Sequence, residues 1–311
     1  YECLFFVDGD DGKIGGVFEG LEIKSPHVLE GYKDVKVIIA SIFWEEMMKE
    51  AEKAGCRNVA IYKPVIEMPG FIDGTERELA QRTINLGAFL KEQDELSCRE
   101  MTFTQGGSQI LDYVFLKSIA ERYHCRTYLE IGTYIGESIN ILTDCCERLY
   151  SITAPIGAPY SMAAWCRHYN MPDYSERLAY SDKIIHYYTD SKLFDFTQIK
   201  DEVDLYFIDA DHSYDGVYED TKNVFSTKKE DAIVIWHDFR KAGFQYNVEV
   251  VRAVKDVLGE KFKNVYVTDH NMCGIYLPDA CIKDFILHEL KYEEDADLYT
   301  YDVILENCQI K

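Results

Sequence analysis

No stretch of this 311-residue chain approaches the roughly 20 consecutive apolar residues that a membrane-spanning helix needs. The longest apolar runs, VKVIIASIF from Val35 and AIVIW from Ala232, are the length of strands. Basic residues are scarce, with 33 Lys and Arg against 55 Asp and Glu, a formal charge of −22. Nucleic acid is bound largely through Lys and Arg contacts to phosphate, so this balance speaks against it as a partner. The start of the chain lacks a basic segment followed by an apolar one, and no secretory signal is read there. It opens in mid-strand with YECLFFVDGDD, which suggests residues upstream. No Cys-x-x-Cys pair occurs among the ten cysteines, and only Cys145 and Cys146 adjoin. Neither a disulfide framework nor a zinc site is expected, and reduced thiols point to the cytoplasm. Internal repeats and low-complexity tracts are also missing.

The chain does contain ample material for a core: 47% hydrophobic and 14% aromatic residues, the composition of a packed globular protein. Residues 1–68 read as an incomplete α/β unit. LFFVDGDD is a strand running into a turn, VKVIIAS a buried strand, WEEMMKEAEKAG from Trp44 an amphipathic helix ending at Gly55, and NVAIY a further strand. Strand, helix and strand of these lengths imply a parallel pair with a right-handed crossover. Pro64, Pro69 and Gly70 break the pattern, and TERELAQRTINLGAFLKEQDELS from Thr75 reads as a helical linker within 69–97. A larger unit spans 98–288, and the acidic, Tyr-rich tail 289–311 is an edge strand, a subunit contact or a solvated end.

In the larger unit ILDYVFLKSIAERY from Ile110 has helical apolar spacing, and RTYLEIG is a short buried strand ending at Gly132. The turn GTYIG and the helical segment after it form a strand–glycine turn–helix, which brings unpaired backbone N–H groups to a ligand. Gly136 follows Gly132 by four residues, so this is not the G-x-G-x-x-G dinucleotide fingerprint. Strands follow at RLYSIT, SDKIIHYYTDS, DLYFIDADHSYDGVYEDTKNV and DAIVIWHDF, then a helix from about Asn247 and two strands within NVYVTDHNMCGIYLP. Gly132, Asp190, Asp209 and Asp238 all fall at strand C-terminal ends, where open α/β sheets bind ligands.

Glu130-Ile-Gly132-Thr-Tyr-Ile-Gly136, followed by FIDADHSY from Phe207, resembles the class I S-adenosylmethionine-dependent methyltransferases, in particular small-molecule and sugar O-methyltransferases with an FIDxDHSY signature. The resemblance implies an α/β fold: a seven-stranded Rossmann-like class I sheet with its last strand antiparallel, plus the smaller N-terminal partial α/β domain. Phe6 to Asp8, Gly15, Gly16, Gly20, Ile23, Ser25 and Pro26 resemble a Rossmann-like unit found ahead of sugar-modifying enzymes, hence the expectation of a sugar or other small hydroxylated substrate.

The resemblance further implies S-adenosylmethionine held by Glu130, Gly132, Thr133, Tyr134, Gly136, Ser138, Thr153, Asp190, Ser191 and Asp209. Thr153 stands where the family usually has an acidic residue for the ribose. Catalysis is assigned to His212, as base, with Asp209 and Asp238. Mg²⁺ is a candidate cofactor on Asp209, Asp238 and His237, the last standing where relatives carry an acid. Tyr160, Met162 and Trp165 are candidates for the adenine side, and Gln105, Gly106 and Gly107 for a lid. A homo-oligomer is admissible. The competing functions are a non-catalytic binding or scaffold module on the same fold, and a metal-dependent hydrolase using Asp209, Asp211, His212, His237 and Asp238.

Overall fold

The computed structural model describes residues 3–8, 12–39, 44–61, 74–91, 93, 96–102, 108–199, 202–241 and 245–281. The acidic tail and the segment Gln105–Gly107 lie outside the described residues. The chain divides into two units, Tyr1–Gly70 and Phe71–Lys311.

In the first unit β1 (Phe6–Val7), β2 (Val17–Phe18) and β3 (Leu21–Lys24) form a small sheet in the order β1-β3-β2. β4 (Lys36–Ile39) and β5 (Asn58–Ile61) pair in parallel, joined through helix α1 (Trp44–Lys53), as the apolar spacing predicts. Gly55 ends that helix with φ of 81°, a left-handed conformation that glycine adopts without a Cβ penalty.

The second unit begins with α2 (Thr75–Ala80), β6 (Thr83–Ile84) and α3 (Leu86–Leu90). This corrects the helical linker: two short helices flank a strand that pairs with the main sheet. Thr83 and Ile84 are both buried, and two β-branched residues show no periodicity that a sequence pattern could register.

The remaining elements are α4 (Ile110–Arg122), β7 (Thr127–Ile131), α5 (Glu137–Asn140), β8 (Arg148–Thr153), α6 (Met162–His168) and β9 (Ile184–Tyr188), then β10 (Leu205–Ile208), α7 (Tyr214–Thr227), β11 (Ile233–Trp236), α8 (Val248–Leu258), β12 (Val265–Thr268) and β13 (Gly274–Tyr276). The sheet runs β6-β12-β13-β11-β10-β7-β8-β9, with β13 antiparallel to both neighbours and every other pairing parallel. It therefore has eight strands, the expected seven plus β6 at one edge.

β10 (LYFI) and β11 (IVIW) are buried along their whole length, as strands covered on both faces must be. Leu205, Phe207, Ile233 and Ile235 pack with Phe115 and Ile119 of α4 on one face. Tyr206, Ile208, Val234 and Trp236 pack with Val250, Val251 and Val254 of α8 on the other. Each such apolar side chain contributes about 1.5–3 kcal/mol on burial. The strand order reverses between β7 and β10, so Gly132 and Asp209 flank the crevice where an α/β sheet of this kind takes a ligand.

Candidate active site

Glu130, on β7, is fully buried. Its Oε2 accepts hydrogen bonds from the Tyr128 hydroxyl at 3.0 Å and the Ser138 hydroxyl at 2.7 Å. Its Oε1 has no partner among the described residues. Burial pushes this carboxyl up to about 7, against hydrogen bonds that favour the anion.

Beyond it Gly132 has φ of 95°, and a Cβ there would collide with the Asp209 carbonyl oxygen. The glycine is needed because β10 ends against the loop, a requirement separate from any ligand. Gly136, φ of 91°, starts α5, and a Cβ on it would lie 2.7 Å from that of Ala179. Gly132, Tyr134, Ser138, Met162, Asp209 and His212 line one cleft, which brings together the glycine turn and the end of β10.

Other expected cofactor residues are placed differently. Thr133 turns inward, its hydroxyl 2.7 Å from that of Ser151. β8 ends at Thr153 with no carboxylate, and the Thr153 carbonyl accepts the Thr189 N–H. Asp190, after β9, caps a single turn of 3₁₀ helix by accepting the Lys192 N–H at 2.9 Å, and Ser191 is the first residue of that turn. Tyr160 and Trp165 are exposed, whereas Met162 reaches the cleft.

Asp209 follows β10 and Asp238 follows β11. Asp238 has φ of 49°, an uncommon conformation for a residue with a side chain, of the kind that collects at functional sites. His212 lies between the two carboxylates: Nδ1 is 2.9 Å from Asp238 Oδ2 and Nε2 is 3.4 Å from Asp209 Oδ1. Burial pulls His212 down, but the two carboxylates outweigh it and push it up to about 10. Both aspartates are held below the usual carboxylate range, the imidazoles overcoming the cost of burial. Ser213 caps α7 through the Gly216 N–H, fixing the turn that carries His212.

His237 faces inward and is nearly buried, with Nδ1 3.2 Å from Asp209 Oδ1 and 3.3 Å from Asp238 Oδ2. Its Nε2 is 3.2 Å from Asp112 Oδ2. Asp112, on α4, is 1% exposed and was not singled out in the sequence. The only signal was Gln109-x-x-Asp112, which reads as an ordinary capping box and is one. Glu137 was missed as well: it accepts the Tyr113 hydroxyl at 2.8 Å and the Thr102 N–H beneath the cleft.

Residues 129–239 match the model of a family described as a methyltransferase domain, and the mostly parallel sheet is of the expected Rossmann-like kind. Residues 129–239 thus form a methyltransferase domain. A search of curated proteins finds no match. Among solved structures, the O-methyltransferase TomG from Streptomyces achromogenes is 16% identical over 62% of this chain and 87% of its own, with a TM-score of 0.38. The Podospora anserina methyltransferase PaMTH1 is 14% identical over 70% of this chain and 98% of its own, at 0.40. At such scores neither likeness bears on substrate or site. In the methyltransferase domain no described helix is long and apolar enough to cross a membrane.

Proposed function

We propose that this domain uses S-adenosylmethionine to methylate a hydroxyl oxygen of a sugar or another small hydroxylated metabolite. The observation that carries the reading is the open hydrogen-bonding position on buried Glu130 Oε1, at the sheet's switch point beside the cleft that reaches Asp209 and His212. A buried carboxylate oxygen without a partner is costly, and the cofactor's amino-acid ammonium answers it. The Gly132 turn and the start of α5 suit the rest of that moiety. S-adenosylmethionine supplies a methyl group on a sulfonium, open to in-line attack.

An alcohol attacks well only as it loses its proton. His212 keeps one proton at Nδ1 against Asp238 and takes the hydroxyl proton at Nε2, while Asp209 and Asp238 orient the ring and stabilise its charge. The sugar preference rests on the resemblance of the N-terminal unit. A binding module on the same fold is the second reading, favoured by β8 ending at Thr153 without a carboxylate. Formation of S-adenosylhomocysteine with a panel of hydroxylated acceptors separates the two.

Calorimetry tests cofactor binding. Wild type is expected to bind S-adenosylmethionine, and Gly132→Val to lose binding together with about 2–4 kcal/mol of stability from the clash and the strained φ. No heat of binding in wild type would sink the reading. Affinity should also rise with pH through about 7, because Glu130 is neutral below that value and anionic above it. Glu130→Gln should remove that dependence, and a pH profile identical in both proteins counts against Glu130 as the ammonium's partner.

A further inference from the structure

Between α6 and β9 the chain passes behind the glycine turn and joins it by its backbone. The Glu176 N–H donates to the Tyr134 carbonyl at 2.6 Å, and the Leu178 N–H to the Ile135 carbonyl at 2.9 Å. Tyr134, Ile135 and Gly136 line the cleft, whereas residues 176–179 lie outside that lining. Ala179 sits so close behind Gly136 that no Cβ fits between them. Residues 176–179 therefore form a brace on the far side of the turn.

A trans peptide is planar, with its C=O and N–H pointing in opposite directions. The Tyr134 carbonyl shares one such plane with the Ile135 N–H, and the Ile135 carbonyl shares the next with the Gly136 N–H. Carbonyls tied to the brace thus turn both N–H groups away from it. Neither N–H meets an acceptor among the described residues. Successive free amides at a turn are a donor pair suited to an anionic group.

The brace is held in turn from β9. The Ala179 carbonyl lies 3.0 Å from His186 Nε2; a carbonyl only accepts, so Nε2 donates. His186 Nδ1 is buried with no partner among the described residues. The Glu176 carboxylate accepts the Tyr188 hydroxyl at 2.9 Å. Glu176 has φ of 61°, a left-handed conformation that a residue with a side chain keeps where its surroundings fix it. His186 and Tyr188 stand two apart on one strand, hence on one face, and their rings stack with centroids 5.6 Å apart.

We propose that residues 176–179, anchored by His186 and Tyr188, set the aim of the Ile135 and Gly136 amides and so govern how tightly the cleft holds the carboxylate end of the cofactor. Glu176, His186 and Tyr188 are positioning residues, acting through the turn without touching the ligand. Their role rests on the S-adenosylmethionine reading of the cleft.

His186→Leu combined with Tyr188→Phe removes both anchors, whereas His186→Gln keeps a donor toward Ala179. Hydrogen–deuterium exchange over residues 174–180 reports on the brace, and calorimetry with S-adenosylhomocysteine reports on the cleft. The double variant should exchange faster at the Glu176 and Leu178 amides. It should bind S-adenosylhomocysteine about tenfold more weakly, as donors lose their preorganised aim. Its kcat at saturating S-adenosylmethionine should stay within about twofold of wild type, and His186→Gln should bind as wild type does. Faster exchange with unchanged affinity would overturn the proposal, as would unaltered exchange or an equal loss of affinity in His186→Gln. Should the double variant not fold, Tyr188→Phe, at an exposed position, is judged by the same two measurements. A wild type that binds no S-adenosylhomocysteine overturns the cofactor reading and this role with it. A wild type that binds, beside a loosened variant that binds equally well, overturns the brace alone.

Discussion

Replacing His212 with Gln is expected to lower the rate of methyl transfer by about 10²–10⁴-fold, the usual contribution of a positioned general base. The loss should appear in kcat, measured as S-adenosylhomocysteine formed, because the hydroxyl proton then has no acceptor. The pH profile gives a sharper form of the same prediction. A base acts in its unprotonated form, and Asp209 and Asp238 push His212 up to about 10 against the pull of burial. At neutral pH most of the enzyme therefore carries a protonated His212. Each unit of pH upward raises the neutral fraction about tenfold until the pH nears that value. Log kcat/KM should climb with a slope near one between about pH 7 and about pH 9, and the slope should vanish in His212→Gln. A flat profile in wild type, or the same rising profile in the variant, would remove His212 as the base.

Asp112→Ala is expected to be the most damaging single change to stability outside the apolar core. The aspartate is 1% exposed and serves four partners: the Gln109 N–H that starts α4, the Met272 N–H between β12 and β13, the Cys273 thiol and His237 Nε2. Removing it strands the buried His237 Nε2 as well as two amides. Breaking a buried ion pair by deleting one partner costs about 3–5 kcal/mol, equivalent to a fall in Tm of about 10 °C for a unit of this size. Differential scanning calorimetry measures it, and a fall of less than about 2 °C would show that Asp112 is not the anchor. Asp112→Asn keeps the shape and one acceptor, and should fall between the two.

The fold was largely legible because its signals are local. Continuous apolar strands such as LYFI and IVIW, the helical spacing of Ile110–Arg122, and Gly132 and Gly136 at their turns each declare an element without reference to distant residues. β6 was not legible. Its two residues become a strand only because β12 lies beside them.

The site divides along the same line. The glycine turn and the Asp209–His212 pair are close in sequence or sit on motifs, and the structure brings them to one cleft, with Glu130 buried behind it on the Ser138 hydroxyl. Thr133 carries a side chain suited to a ligand, yet the loop turns it toward Ser151, an orientation set by φ/ψ at Gly132 and invisible in residue identity. Asp112 is the extreme case, reaching across 125 residues of sequence to His237.

What the sequence determined by itself was the order of strands and helices, the ligand end of the sheet and the residue types gathered there, since periodicity and turn chemistry are short-range. What only the tertiary structure decided was which groups meet at the centre of that site. Nothing local joins His237 to Asp112; packing set that carboxylate on one of its nitrogens and two others on the second. The protonation of a buried group follows from whatever the fold places around it.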